Sequence, residues 1–387
     1  MSLQTRLRAE GKELFRLTSP ALWILLGLPV LYSLLFGCAY SSNILKNVPT
    51  VIYDQDQTFA SRSVTQAYLD SERYQVVAQV TTQEDLERLL QDNTALVAVS
   101  IPPKFAQNIK SGRASEILVT ANSTNNMFAN AVISSSQELV QTLSVATGQK
   151  LLEGSNQLPS VALYAAAPVK LSVRILNNPT TSYTNFMLPG LAANGLQIAI
   201  LLVAGPLIAR EYSRRSFNQA SYIPQILLAK LLPCWLGAIV SFLLALGVLV
   251  AIFHIPLRGS WSELLLLGSA FSFLVINISF FFSAITSNEV DALQTPLLYI
   301  MPGLLFSGLS WPHFSMNDFS RVFSAFMPLT YMAETLRDLL LAGYAPFLVQ
   351  NICIMFGGGL ILSLLTMLLV FLRQKRLQRA IAKEMVV

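Results

Sequence analysis

Long apolar runs recur six times along the chain, at residues 21–40, 186–209, 226–253, 264–286, 293–309 and 347–372. Each approaches the roughly 20 residues that cross a hydrocarbon core about 30 Å thick. Polar residues 41–185 separate the first run from the other five. The pattern predicts a membrane α-helical protein of six transmembrane helices, with one external α/β domain inserted between the first and second spans.

Residues 41–182 switch between two periodicities. Residues 50–53, 74–80, 95–101 and 116–120 read as strands, and helices are expected at 59–69, from Thr82 to Leu90, after Pro102-Pro103, and over 128–152. Thr82 with Asp85 three residues on is a variant capping box. The nearly continuous apolar run at 95–101 suits a strand buried on both faces. Strands alternating with helices imply crossovers over a sheet.

Two further segments are amphipathic. Leu3, Leu7 and Leu14 recur at helical spacing among basic residues, as in a helix lying in the headgroup plane. Thr18-Ser19-Pro20 then ends one helix and starts the next. Residues 310–345 are too polar to span yet rich in aromatics. Phe319, Val322, Phe323 and Phe326 share one helical face, Pro328 is expected to end that helix, and a second runs from near Thr330 to Gly343, with Glu334 and Arg337 spaced for an ion pair. The organisation expected is therefore a cytoplasmic interfacial helix at 1–20, the first span at 21–40, the external domain at 41–182, a five-helix membrane region at 183–372 with re-entrant external helices at 311–345, and a basic cytoplasmic tail at 373–387.

Charge supports this layout. Only 12% of residues are charged, against about 25% in soluble domains. The net charge of +5 is concentrated. Residues 1–20 carry Arg6, Arg8, Lys12 and Arg16 against two acids, and residues 210–230 carry four bases against Glu211 alone. The tail carries Arg373, Lys375, Arg376, Arg379 and Lys383 against Glu384, whereas residues 41–185 are balanced, with ten bases and eleven acids. Excess Lys and Arg stay cytoplasmic, so both termini and the loop at 210–230 fall on one side. The acidic loop at 288–291 is the exception. This basic charge reads as topology and membrane-lipid contact, with no nucleic acid as a partner. Lys230, near a helix end, is expected to snorkel to the interface.

The chemistry that sequence motifs would announce is missing. The chain has no P-loop, no H-E-x-x-H and no G-x-S-x-G, and its three cysteines and two histidines are scattered. No catalytic residue, no metal site and no cofactor on this chain are expected, and the chain is not expected to be an enzyme itself. Leu35-Phe36-Gly37-Cys38 is similar to a lipoprotein cleavage box, but phenylalanine fits poorly there and the run has full span length, so an anchor is expected. Asn194, Gln197, Asn277, Gln294 and Thr295 are polar positions within spans and are candidates to line a path or bond between helices. No span carries an ionisable residue near its centre, which argues against ion-coupled transport.

Phe306-Ser307-Gly308, Met327-Pro328-Leu329-Thr330-Tyr331, Arg337 and Gly343 resemble a run in the membrane subunits of ABC exporters of the type-2 permease family, in its long-external-loop, multidrug-type members. Arg210-Glu211, Pro224 and Lys230 are similar to that family's cytoplasmic loop and third-span entry. Val51 to Asp54 and Ile101-Pro102-Pro103-Lys104-Phe105 resemble its external domain. One departure stands out: Arg215-Ser216 occupies the place of the family's Gly-Thr. The resemblance implies a permease subunit of an exporter in a bacterial inner membrane, multi-pass, moving an amphiphilic drug, lipid or polymer. It also implies a separate ABC ATPase subunit that binds ATP and magnesium, a second permease chain, the same or related, and room for a periplasmic adaptor. Arg210, Glu211, Tyr212, Arg214 and Arg215 would form the ATPase coupling loop, and Pro328, Thr330, Tyr331, Glu334 and Arg337 an external re-entrant gate. The competing reading is a membrane-anchored receptor or scaffold whose external domain binds a partner; such a protein needs one or two spans and has no use for residues 310–345.

Overall fold

The computed structural model describes residues 3–41, 45–111, 113–123, 126–154, 176–213, 223–286 and 288–384. In chain order these form α1 (Leu3–Leu14), α2 (Pro20–Ala39), β1 (Val48–Asp54), α3 (Phe59–Leu69), β2 (Tyr74–Val80), α4 (Gln83–Gln91), β3 (Val97–Ile101), α5 (Phe105–Lys110), β4 (Leu118–Ala121) and α6 (Asn126–Glu153). They continue with α7 (Tyr183–Ser213), α8 (Ile223–Ala251), α9 (Trp261–Ile285), α10 (Glu289–Ile300), α11 (Gly303–Phe306), α12 (Asp318–Ala325), α13 (Pro328–Leu341) and α14 (Leu348–Glu384). Two compact units result. Residues 44–174 make one, and residues 1–43 with 175–387 make the other.

In the helical unit, α2, α7, α8, α9 and α14 are, among the described residues, the helices long and apolar enough to cross a membrane. The sixth expected span, at 293–309, takes a different form. Its chain is broken into α10 and α11 at Met301-Pro302, because proline has no N–H to continue the ladder. Asn288 starts α10 by accepting the Asp291 N–H at 2.8 Å, and Gly308 ends the segment in a left-handed conformation, with φ of 80°.

α7 and α9 are the inner helices: 83% and 78% of their most apolar stretches are buried, against 28% for α2 and 22% for α14. α7 packs against α2, α8, α9, α10 and α13, and α9 packs most extensively against α14. Close approach depends on small residues. A Cβ on Gly205 would lie 2.9 Å from the Ala292 carbonyl oxygen of α10, and one on Gly195 would lie 2.9 Å from Tyr32 of α2. Pro29 inside α2 has no N–H for the Leu25 carbonyl, and the Ser241 hydroxyl of α8 donates to that carbonyl at 2.5 Å instead. α1 stops at Leu14, before the expected break at Thr18-Ser19-Pro20; Leu14 is buried in the same apolar core as Leu231 and Cys234 of α8.

The other unit is a four-stranded sheet of order β2-β1-β3-β4. β1 runs parallel to β2 and β3, and β4 closes the far edge antiparallel to β3. β3 is buried on both faces, as its apolar run predicts. Val97, Val99 and Ile101 pack with Tyr68, Phe105 and Val132 beneath α3, α5 and α6, while Ala98 packs with Val51 and Leu86 beneath α4. Thr82 caps α4 by accepting the Asp85 N–H. α6 is tied to β2 by the Tyr74 hydroxyl, which donates to the Val132 carbonyl at 3.0 Å. Pro102-Pro103 leads into α5 only after Lys104, whose φ of 63° turns the chain at the helix start.

Candidate functional site

Polar side chains gather at the end of the helical unit where α7 stops and α8 begins. Lys230 of α8 is 3% exposed, and its ammonium lies 2.9 Å from Glu10 of α1 and 3.0 Å from Glu211 of α7. Lys230 therefore does not snorkel: two carboxylates meet it inside the bundle, and pairing is what lets a buried charge persist. Glu211, expected as an exposed loop contact, is likewise buried, with its side chain 8% exposed. Beside it, Arg210 donates to Glu289 of α10 at 2.8 Å. Tyr212 carries the Arg373 guanidinium 4.0 Å above its ring. The same Arg373 donates to the carbonyls of Thr286 at 2.7 Å and Ala284 at 3.1 Å, at the last turn of α9, where unpaired carbonyls favour a cation. Arg214 and Arg215 lie outside the described residues. Glu10, Glu289 and Arg373 carried no local sequence signal, since each is far in sequence from the residue it meets.

The five polar candidates within spans fall into distinct environments. The Asn194 amide of α7 donates to the Tyr32 hydroxyl of α2 at 3.1 Å, an interhelical bond. Asn277 of α9 is buried and donates to its own helix, at the Phe273 carbonyl. It also borders a small cavity of about 190 Å³ between α8, α9 and α14, lined by Leu227, Phe280 and Thr366. Thr295 of α10 donates back to Asp291, and Gln294 is exposed. Gln197 of α7 is different: it is fully buried, and neither its amide oxygen nor its nitrogen has a hydrogen-bond partner among the described residues.

The third group lies in residues 310–345. α12 and α13 form as two short helices. Pro328, expected to end the first helix, instead occupies the first turn of α13, where its missing N–H is harmless; α12 already stops at Ala325. Thr330 donates to the Ser324 carbonyl at 2.8 Å and Tyr331 to the Ala325 carbonyl at 2.6 Å, so α13 satisfies the end of α12. Thr330, Tyr331 and Glu334 share the wall of a cleft of about 310 Å³ with His313 and Arg321. Arg337 lies elsewhere. Its guanidinium sits 4.8 Å over the Phe186 ring at the start of α7, and Glu334 is 3.8 Å away. Gly308 and Gly343 both have positive φ, which glycine adopts without steric cost. A Cβ on Gly308 would meet the His313 ring at 2.5 Å. Arg258, not singled out by its sequence context, donates to the Leu341 carbonyl at 2.7 Å and closes the end of α13.

In the α/β unit, the crevice between the ends of β1 and β3 is where a doubly wound sheet takes ligands. Here the chain fills it. Asp54 accepts the N–H groups of Asp56 and Gln57 and the Ser61 hydroxyl. Asp56 accepts the Thr58 hydroxyl at 2.6 Å and the Ala106 N–H at 3.0 Å, at the start of α5. Burial alone would raise the Asp56 carboxyl, but the Thr58 hydroxyl and the backbone N–H groups of Ala106, Phe105 and Lys104 outweigh it and hold it below the usual aspartate value.

The family model described as ABC-2 family transporter protein matches residues 20–368. The chain belongs to the ABC-2 family of transporter proteins. It is similar to the probable multidrug ABC transporter permease YbhR of Escherichia coli K12, with 22% identity over 353 residues that cover 90% of this chain and 92% of YbhR. The probable multidrug ABC transporter permease YbhS of the same strain is 27% identical over 206 residues, 52% of this chain and 55% of YbhS. The inner membrane transport permease YhhJ is 22% identical over 323 residues, 81% of this chain and 83% of YhhJ. In this ABC-2 chain, Glu211, Lys230 and Arg210 fall within the family match. Glu10 and Arg373, which complete the polar cluster, lie just beyond its two ends.

Proposed function

We propose that the chain is the permease subunit of an ATP-driven exporter in a bacterial inner membrane, energised by a separate ATPase subunit that carries ATP and magnesium, and paired with a second permease chain. The observation that carries this reading is the polar cluster around Lys230 in an ABC-2 chain. It fixes the two helix ends, at Glu211 and Lys230, that bracket residues 214–222. A segment that receives force from a soluble motor must be polar and rigidly joined to spans, and the ends of α7 and α8 meet that need. Tyr212 acts from within the bundle and Arg210 from its surface, and Arg214 and Arg215 supply charge to the motor.

In this reading the chain crosses six times, with α10 and α11 together making the fifth crossing. Both termini and residues 214–222 face the cytoplasm, where excess Lys and Arg belong, and the α/β unit is external. α12 and α13 dip into the outer leaflet, with their end groups covered as lipid requires, and gate the exit at Thr330, Tyr331 and Glu334. The cargo is an amphiphilic drug, lipid or polymer taken from the cytoplasm or inner leaflet. The self-filled crevice of the α/β unit suits docking to a periplasmic adaptor or to the second chain's unit better than capture of a small ligand.

The test is reconstitution. Co-expressed with the products of its neighbouring genes, the chain should co-purify with an ABC ATPase as a stable complex whose ATP hydrolysis depends on lipid and responds to an amphiphilic dye. The isolated chain should hydrolyse none. Absence of any associating ATPase, or hydrolysis by the isolated chain, rejects the reading.

A further inference from the structure

Three helices of the ABC-2 chain meet on one cation. An ammonium has three N–H donors and no acceptor. That of Lys230 faces Glu211, near the end of α7, and Glu10, from an amphipathic helix 220 residues earlier in the chain. α1 also packs against α8 through apolar contacts: Leu14 is buried with Leu231 and Cys234, and Phe15 lies 3.6 Å from the position of a Cβ on Gly237. Apolar contacts of this kind let a surface helix slide along its neighbour. A buried ion bridge does not, because displacement by a few ångströms leaves unpaired charge away from water. Stability alone gives little reason for the charges, since well-packed apolar residues do as well; fixing register is the better-attested use of such groups.

We propose that Lys230 is a positioning residue for energy coupling: through Glu10 it makes α1 move as one body with the end of α7 when the ATPase displaces residues 214–222. The stroke then has a second route into the membrane. α1 continues through residues 15–19 into α2, and α2 packs along both α7 and α8, with the Ser241 hydroxyl donating to the Leu25 carbonyl. A displaced α1 therefore pulls on α2 from its first turn, while the coupling segment acts directly on α7 and α8. α1 becomes a working part of the pump.

The proposal rests on the permease reading, and the experiment separates the two. In the complex with the ATPase, with Cys38, Cys234 and Cys353 replaced, spin labels are placed at Gln4→Cys on α1 and at Ile285→Cys, exposed at the end of α9. Distances are measured without nucleotide and after trapping with ADP and vanadate. If no complex forms or no nucleotide is trapped, the permease reading is at fault. With trapping achieved, the distance should shift in the parent complex. The shift should be lost in Glu10→Gln, which leaves the Lys230–Glu211 bridge intact, and kept in Lys230→Arg. A merely structural role predicts lower thermal stability in Glu10→Gln with the shift preserved. If Glu10→Gln fails to assemble, Glu10→Asp, one carbon shorter, supplies the same comparison with a reduced shift expected. A parent distance that does not change on trapping, or a full shift surviving in the Glu10 variant, overturns the proposal.

Discussion

Arg210 and Glu289 join the last turn of α7 to the first turn of α10 through an Nε–carboxylate bond of 2.8 Å. This pairing accounts for the acidic loop that breaks the charge rule: Glu289 answers an arginine of the neighbouring helix. Both side chains are 44% exposed, and pairs of this kind contribute about 0–1 kcal/mol. Glu289→Gln is therefore expected to shift the unfolding midpoint only slightly. If the pair orients the coupling segment, transport should fall in Arg210→Glu and recover in the reversed pair Arg210→Glu with Glu289→Arg. Equal transport in single and double variants would leave the pair no role in coupling.

Lys230 makes a sharper contrast. Lys230→Met removes the cation that Glu10 and Glu211 share, and breaking a buried ion pair typically costs about 3–5 kcal/mol. The triple variant Glu10→Gln, Lys230→Met, Glu211→Gln removes all three charges together, so most of the stability should return. Transport per ATP hydrolysed should stay low, because the helices are no longer held in register. Denaturant unfolding with paired transport and hydrolysis assays checks both halves. Recovery of transport together with stability would mean that the charges serve packing alone.

These two clusters show where sequence reading succeeds and where it stops. The sheet is legible because its information is local: the alternation at β2, the continuous apolar run of β3 and the Thr82 cap each lie within a few residues. The apolar spans are legible for the same reason. From sequence, Lys230 and Glu211 look like surface charges because their partners lie 220 and 19 residues away, and no periodicity reports such a contact. The break in the fifth apolar run had a local signal in Pro302, but average hydropathy over 293–309 masked it. Of the residues expected to form a gate, Thr330, Tyr331 and Glu334 come together around one cleft, whereas Arg337 stacks on Phe186 of α7, a separation that helical spacing alone does not reveal.

Gln197 allows stability and function to be set against each other. Its amide is fully buried and unbonded among the described residues. Leaving such a group unpaired costs about 1–3 kcal/mol. Gln197→Met, of similar size and without the amide, is expected to raise thermal stability by an amount of that order. A path-lining role for Gln197 requires the same change to lower transport. Greater stability with unimpaired transport would remove it from the path.

The α/β unit carries a pH dependence of its own. Asp56 has its carboxyl held below the ordinary value of 3.8 by the Thr58 hydroxyl and the backbone N–H groups at the start of α5, against the opposing effect of burial. A carboxylate whose folded value is depressed stabilises the fold fully above its unfolded value, and this contribution is lost as pH falls through the folded one. Asp56→Asn should therefore destabilise the loop after β1 at neutral pH. The difference from the parent should stay constant down to near pH 4 and shrink below it. Hydrogen exchange at Thr58 and Ala106 across that range reads the effect directly; a difference that grows on acidification would contradict it.

Arg337 gives the most direct test of the proposed gate. Its guanidinium stacks over Phe186 at the start of α7 at 4.8 Å, its nearest carboxylate oxygen is that of Glu334 at 3.8 Å, and its Nη1 is buried without a partner among the described residues. The side chain is thus held by an aromatic face more than by an ion pair, and such stacking contributes about 0.5–2 kcal/mol. Because this stack helps join α13 to α7, a movement of α7 driven from its other end would be passed through it toward the cleft at Thr330, Tyr331 and Glu334. Arg337→Ala should cost stability within that range yet reduce transport about tenfold or more, the factor set by roughly 1.4 kcal/mol in a limiting barrier. Arg337→Lys keeps the charge but loses the planar stack, and should fall between the two. Phe186→Leu should reproduce the defect with Arg337 intact, since it removes the ring from the other side. If Arg337→Ala lowers stability and transport in proportion, or if Phe186→Leu transports normally, then α13 caps the bundle and the exit is controlled elsewhere.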